Sequence, residues 1–479
     1  MLLNGKVKLK NLHKLYACTK MKRFNFLLTF FLVNISLIVN GQEKKDTTSI
    51  MHAFRKGKIE GHFRFFYMST NNYEPLTDYY ALAFGGGLKY QTGSFKGFQS
   101  GIGGSYAWNL SSSDLTQPDP TTMIMNRYEI GLFDQTNPSN KKELQRLEDF
   151  YIKYNFRKSF IKYGKQSIKT PFINPQDGRM SPTMEQGAWV EINELNKTKI
   201  EIGWLSRISP RSTVKWYSGA SSIGIYPSGT AISGIKSDYK GHLDSKGIAI
   251  AGITYSVNEQ IKLRLWDHWV ENIFNTAFLQ AEGEFSIERN RKIITGVQYI
   301  HQQAVNEGGN ADPAKTYFDP SQKVNIYGVK AGLEFKKTTI RFNYSRITKD
   351  GRFLFPREWG REPLFTFLPR ERNEGLGEVN AISVNFFKSY FRQKLHAEIS
   401  AGYYDLPDVK NTRLNKYGLP SYYQFNLDLK YSFSDLPGGL NAELLYLYKM
   451  RKGNSYEDLR YVIHKTDMQQ INLIINYNF

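Results

Sequence analysis

The chain closes on QQINLIINYNF, in which Ile471, Leu473, Ile475, Tyr477 and Phe479 alternate with Gln470, Asn472, Ile474, Asn476 and Asn478. A period of two puts neighbouring side chains on opposite faces of an extended strand, so one face is apolar and the other polar but for Ile474. The same rule is written upstream. Tyr423, Phe425, Leu427 and Leu429 alternate with Gln424, Asn426, Asp428 and Lys430. Leu279, Ala281, Gly283 and Phe285 alternate with Gln280, Glu282, Glu284 and Ser286, and Ile340, Phe342 and Tyr344 with Arg341, Asn343 and Ser345.

Alternation alone also suits a soluble sandwich; loop parity separates the two. From Lys58 onward about eighteen such segments can be placed, and every second connection is short, as in QTGS, FRKS, LNKT, SVNE and SDLPGG. Most of the others are long and polar (111–147, 207–244, 302–322, 347–378 and 451–467), with shorter links near 69–77 and 267–273. This predicts an all-β fold: a transmembrane antiparallel β-barrel of about eighteen strands, with short periplasmic turns and long extracellular loops. Backbone groups in a bilayer must pair within the protein, so a sheet survives there only when closed. Its polar face then carries Arg64, Lys89, Lys162, Lys262, Arg264, Glu282, Glu284, Lys330, Glu334, Arg341, Glu398, Asp428 and Lys430, a set too charged for a dry core and expected around water. Trp204, Tyr344, Tyr431 and Phe433 fall at strand ends, where aromatic girdles meet the membrane interface.

The one strongly apolar run, MKRFNFLLTFFLVNISLIVNGQ, has a basic start at Lys22 and Arg23 and small or polar residues at Asn40, Gly41 and Gln42. It reads as a signal peptide cleaved near Gly41, with Met21 as the expected start. Residues 1–41 are thus assigned to the leader, 42–57 to a short periplasmic segment and 58–479 to the barrel. Removing the leader lowers the formal charge from +20 to +13 and discards Cys18. Disulfides, thiolate metal sites and cysteine nucleophiles are thereby excluded. Aromatic content of 15% with a mean hydropathy of -0.48 fits strands that are greasy on one side only.

Two stretches carry a family resemblance. In LEDFYIKYNFRKSFIKYGKQSIKTPFINPQDGRMSPTMEQGAWVEI, Gly164, Gln166, Thr170, Pro171, Asp177, Arg179, Pro182 and Gly187 resemble the pattern of the OprD porin family. In FPREWGREPLFTFLPRERNEGLGEVNAISV, Trp359, Gly360, Pro363, Thr366 and Glu374 resemble that family's late-loop pattern. The resemblance implies an eighteen-stranded monomeric porin in the outer membrane of a Gram-negative bacterium: a narrow, passive, substrate-selective channel with a basic lumen wall. It brings lipopolysaccharide and other outer-membrane lipids as surroundings. Tyr477 and Phe479 resemble the terminal aromatic signal read by the barrel-assembly machinery.

Selection in such a pore is made by loops folded inward and the fixed charges they carry. The proline-stiffened loop expected over 170–187 offers Asp177 and Arg179, and the loop over 347–378 offers Arg357, Arg361, Arg370 and Arg372; Arg341 and Lys330 belong to the wall. Arginine suits carboxylates because its planar fork makes paired hydrogen bonds, so anionic or carboxylate-bearing nutrients, such as amino acids or organic acids, are the expected solutes. The bland reading of each arginine is a solvated loop residue. His62, His268, His301 and His396 lack metal-ligand spacing, and no cofactor is expected. The basic balance brings no nucleic-acid motif. A barrel-borne enzyme would need a nucleophile beside a histidine, and no such spacing is found. A plugged receptor needs a domain before the first strand. A porin of another family, selective for phosphate, polyphosphate or oligosaccharide, stays open as an alternative.

Overall fold

The computed structural model describes residues 47–176, 179–288, 290–433 and 439–479. The expected leader and its start at Met21 lie outside the described residues, and so does Asp177. A one-and-a-half-turn helix, α1 (Ile50–Arg55), opens the described chain, its first turn capped by Ser49, whose Oγ accepts from the His52 N–H at 3.1 Å.

The strands are β1 (Lys58–Asn71), β2 (Tyr79–Gln91), β3 (Phe98–Ser112), β4 (Leu144–Phe156), β5 (Ser159–Gln166), β6 (Met184–Ile192), β7 (Thr198–Ser209), β8 (Tyr217–Ser218), β9 (Ile248–Ser256) and β10 (Ile261–Val270). They continue with β11 (Phe274–Glu288), β12 (Arg291–Ala304), β13 (Lys323–Phe335), β14 (Thr338–Ile347), β15 (Val379–Tyr390), β16 (Leu395–Asp405), β17 (Tyr422–Ser432), β18 (Leu440–Arg451) and β19 (Met468–Asn478). All belong to one antiparallel sheet in which sequence neighbours pair. The two-residue β8 pairs with β7 beside the wall, which runs directly from β7 to β9. Leaving β8 aside, eighteen strands form the wall, and the last pairs with the first: Phe65 lies opposite Ile475 and Thr70 opposite Gln470. Closure leaves no sheet edge, the condition a bilayer imposes.

The faces fall as the periodicity requires. Phe342, Ile399 and Val297 are 58%, 58% and 56% exposed on the outside of the ring, while their strand neighbours Asn343, Ser400 and Gln298 are buried inside it. A water-soluble domain shows the reverse, so the exterior is made to meet acyl chains. At the seam, Phe479 exchanges two 2.9 Å backbone hydrogen bonds with Gly61, and its ring lies over that glycine and 5.6 Å from Phe63. Removing Phe479 deletes both bonds and the ring contact. It is expected to cost roughly 1–3 kcal/mol of barrel stability, read as a lower folded fraction by heat-shifted gel mobility.

The two rims differ. Near-minimal turns such as Arg157–Lys158 and Lys336–Lys337 share one rim with both ends of the described chain. Arg157 and Lys336 adopt left-handed backbone, φ +49° and +55°, as tight hairpins of right-twisted strands demand. The opposite rim carries the long loops. Two boundaries differ from the sequence reading. β6 starts at Met184, so Gly187 is a strand residue in register with Gly164 rather than part of a loop. A further long connection spans 406–421, which the sequence list of long loops omitted.

The long loops turn inward and pack against the wall as two bodies. Tyr128, Ile130, Leu132 and Phe133 of 113–143 form a core with Phe66 and Met68 of β1 and Leu447 and Met468 of β18 and β19. Phe172 of 167–183, Tyr239 of 210–247, Phe318 of 305–322 and Phe353, Phe355 and Trp359 of 348–378 form a larger one against β6–β17. A ring this wide would otherwise be an open aqueous bore; here its outer half is largely filled.

Candidate functional site: an arginine-lined eyelet between two loop bodies

Between the two bodies lies a cavity of about 300 Å³. Eight arginines line it: Arg64 from β1, Arg127 from 113–143, Arg179 from 167–183, Arg211 from 210–247, and Arg357, Arg361, Arg370 and Arg372 from 348–378. Among the described residues, Lys430 and the acids Glu371, Asp428 and Glu443 are its other charges. Lys430 pairs with two of those acids, at 2.7 Å from Asp428 and 3.4 Å from Glu443. Cationic charge therefore dominates the slot.

The arginines are held in place from behind. Arg179 donates to the Tyr128 carbonyl at 2.9 Å and accepts on its own carbonyl from Arg64, tying three elements together. A Cβ at Gly131 would collide with the Arg179 guanidinium, so that position must be glycine for the arginine to reach across. Arg370 donates to Gln470 and Asn472 of β19, each at 2.9 Å. Arg372 donates to Gln176 at 3.3 Å; burial, with Arg357 and Arg211 beside it, lowers it to about 10, so it stays cationic at neutral pH. Arg357 pairs with Glu374 at 3.4 Å and lies over the Tyr417 ring. Arg361 differs. Its side chain is exposed, stacks over Phe367 at 5.0 Å and makes no ion pair with a described residue.

Arg361 also lines a second cavity, of about 960 Å³, between the loops and the β6–β13 wall. Lys330 stands there, paired with Glu282, which is also paired with Arg264, and 4.6 Å from the Phe365 ring. Arg341 lines neither cavity: its guanidinium lies over Phe387, 4.2 Å from the ring centre. Thus five of the sequence-derived candidates (Arg179, Arg357, Arg361, Arg370 and Arg372) meet at the eyelet, Lys330 lies below it and Arg341 apart. Arg127, Arg211, Gln176 and the loop 113–143 were not among the candidates; no local spacing marks them, because they meet only through packing. Arg64 was read as lumenal, but its place in the eyelet was not.

Apart from Arg179, the described residues that carried the family resemblance, with Glu358 beside Trp359, hold loops and strands rather than line the slot. The Trp359 indole N–H donates to Ser222 at 2.7 Å. Glu358 accepts from the N–H groups of Gly224 and Tyr226 at 3.0 and 2.8 Å. Thr170 closes its turn through Ile173 and reaches His268 at 2.9 Å. Pro363 to Arg370 then run along the inner wall as a shelf. The Pro363 carbonyl accepts from Gln298 of β12 at 3.0 Å, and the Thr366 hydroxyl bonds Ser345 of β14 at 3.0 Å. The carbonyls of Thr366, Pro369 and Arg370 accept from Tyr404, Gln424 and Lys449 at 2.8, 2.7 and 2.9 Å. Phe365 seats on Gly296 and Gly328, where added Cβ atoms would stand 2.9 and 3.5 Å from its ring. Phe365→Ser empties that seat and frees the start of the shelf; single-channel conductance is expected to rise by roughly half, and to become noisier, as the constriction loosens.

Such a ring, with short turns on one rim, in-folded loops on the other and a charged slot between them, defines an outer-membrane channel of the porin class. The chain belongs to the OprD family of outer membrane porins, whose sequence model matches residues 104–373. Among solved structures, OpdG of Pseudomonas aeruginosa aligns over 89% of this chain and 99% of its own, at 14% identity and a TM-score of 0.70. OccAB2 of Acinetobacter baumannii aligns over 89% and 99%, at 14% identity and a TM-score of 0.68. OpdK of Pseudomonas aeruginosa, solved with vanillate, aligns over 89% and 99%, at 15% identity and a TM-score of 0.67. At such identities the likeness is one of fold. No curated protein matches the chain.

Proposed function

We propose that this porin passes small hydrophilic solutes down their gradients and favours anionic, carboxylate-bearing ones. The observation that carries this reading is the eyelet, whose described lining sets eight arginines and a lysine against three acids. Guanidinium forks from different loops facing one narrow slot can exchange a carboxylate from one to the next, and fixed charge in a tight, partly dehydrated passage sets which ions enter. The vanillate in the OpdK structure, itself a carboxylate, supports the same class. Liposome swelling tests it: small organic acids should enter several-fold faster than neutral sugars of equal size. Equal rates would sink the anionic preference, and inorganic phosphate outpacing carboxylates would shift the solute class to phosphate.

A further inference from the structure

The eyelet contains an acid whose charge nothing above accounts for. Glu371 lines the slot yet is only 1% exposed. Among the described residues its carboxylate meets only Asn373 Nδ2 and the Tyr422 hydroxyl, both at 3.5 Å. Asn373 is fully buried and lies between two carboxylates: its Nδ2 also donates to Glu362 at 3.0 Å. Glu362, 2% exposed, accepts in addition from the backbone N–H groups of Asn373 at 2.9 Å and Glu374 at 3.2 Å, closing the turn that carries Arg370 and Arg372. Asn373 Oδ1 is buried with no hydrogen-bond partner among the described residues. Every described donor of the cluster, the Asn373 amide, two backbone N–H groups and the Tyr422 hydroxyl, is thus spent on the two buried carboxylates, and a buried amide oxygen goes unfilled. A proton on a carboxylate supplies the missing donor.

We propose that Glu362, Asn373 and Glu371 form a proton-binding site that sets the charge of the eyelet. With the proton held, Glu371 is neutral and the slot more basic; with the proton released, a further carboxylate stands among the arginines. The groups around Glu371 favour retention. Glu362 repels its ionised form, and burial, the larger cause, raises it well above the ordinary carboxylate range. Burial likewise brings Glu362 up to about 7 against the pull of its hydrogen bonds. On the other side stand Arg372 of the same loop, Lys449 of β18, whose Nζ lies over the Tyr422 ring at 5.0 Å, and Tyr422 of β17, which stacks on Tyr404 of β16 at 4.9 Å. Because burial raises both carboxyls, the cluster holds its proton at pH values where an ordinary carboxylate has lost it and gives it up as pH rises.

This inference deepens the anion-channel reading and rests on it. It is tested by reversal potentials in planar bilayers under a salt gradient, from about pH 6 to about pH 9. For the unaltered porin the anion-to-cation permeability ratio is expected to fall by about twofold or more across that range. Glu371→Gln should remove most of the fall, because the carboxyl left to titrate, Glu362, does not line the slot. Glu362→Gln removes the neighbouring negative charge, so the fall should move to lower pH, a shift that mere loosening of the turn does not produce. A ratio that stays level in the unaltered porin, or an unchanged curve in either variant that folds by gel mobility, overturns the proposal. The absolute ratio at about pH 6 tests the anionic preference separately, so the two readings fail independently.

Discussion

Arg361→Glu is expected to lower the anion-to-cation permeability ratio by about tenfold, enough to make the pore prefer cations. The estimate follows from Coulomb energy: a unit charge about 6 Å from a passing ion, at an effective dielectric of about 40, is worth about 1.4 kcal/mol, and reversal counts it twice before screening. Arg361 is the suitable site because its side chain is exposed at the junction of both cavities and makes no hydrogen bond to another described residue. Arg361→Gln should give roughly threefold. Arg341→Gln, outside both cavities, should change the ratio by less than about twofold. Reversal potentials in planar bilayers measure all three. If Arg361→Glu and Arg341→Gln behave alike, permeant charge is not read at the eyelet.

Val297→Arg is expected to destabilise the folded barrel by about 2–4 kcal/mol, the cost of a cation on the lipid face near the bilayer midplane. Val297 sits mid-way along β12, between Ala281 and Val329, and is one of the most exposed wall residues. On a soluble protein an arginine at so open a site would alter stability by under about 0.5 kcal/mol, so the experiment decides what the outer face meets. Denaturant titration in lipid vesicles, followed by tryptophan fluorescence, gives the difference. Its neighbour Gln298 faces inward and donates to Gln280 and to the Pro363 carbonyl. Gln298→Leu should leave insertion intact and disturb conductance instead, because it unties the shelf.

Strand after strand was legible because each is short-range information. The sorting of Leu279 from Gln280 or of Phe342 from Asn343 needs only the residues on either side. Loop parity made the ring and its two rims readable in the same way. The polar face was legible only as polar. Gln424, Gln470 and Asn472 look like water-lining residues in sequence, yet they are buried and bonded to Pro369 and Arg370 of the 348–378 loop. A side-chain amide satisfies a loop carbonyl or a water equally well, so the alternation cannot tell a filled half of the barrel from an open one. Even Met468 and Ile474, the apolar residues on that face of β19, have their reason inside: both pack in or against the core built by 113–143, and Ile474 also lines the eyelet.

The eyelet shows the same limit from the other side. Arg127, Arg179, Arg211 and Arg361 come from four loops with no common spacing, and the glycine that lets Arg179 reach across, Gly131, belongs to a different one of those loops from Arg179 itself. The sequence by itself determined which faces turn to lipid, how many strands close and on which rim the long loops stand, since a bilayer imposes those choices residue by residue. The tertiary structure alone decided how far the loops fold inward and which charges meet in the slot, since that depends on apolar packing between segments hundreds of residues apart, for which neighbouring residues hold no record.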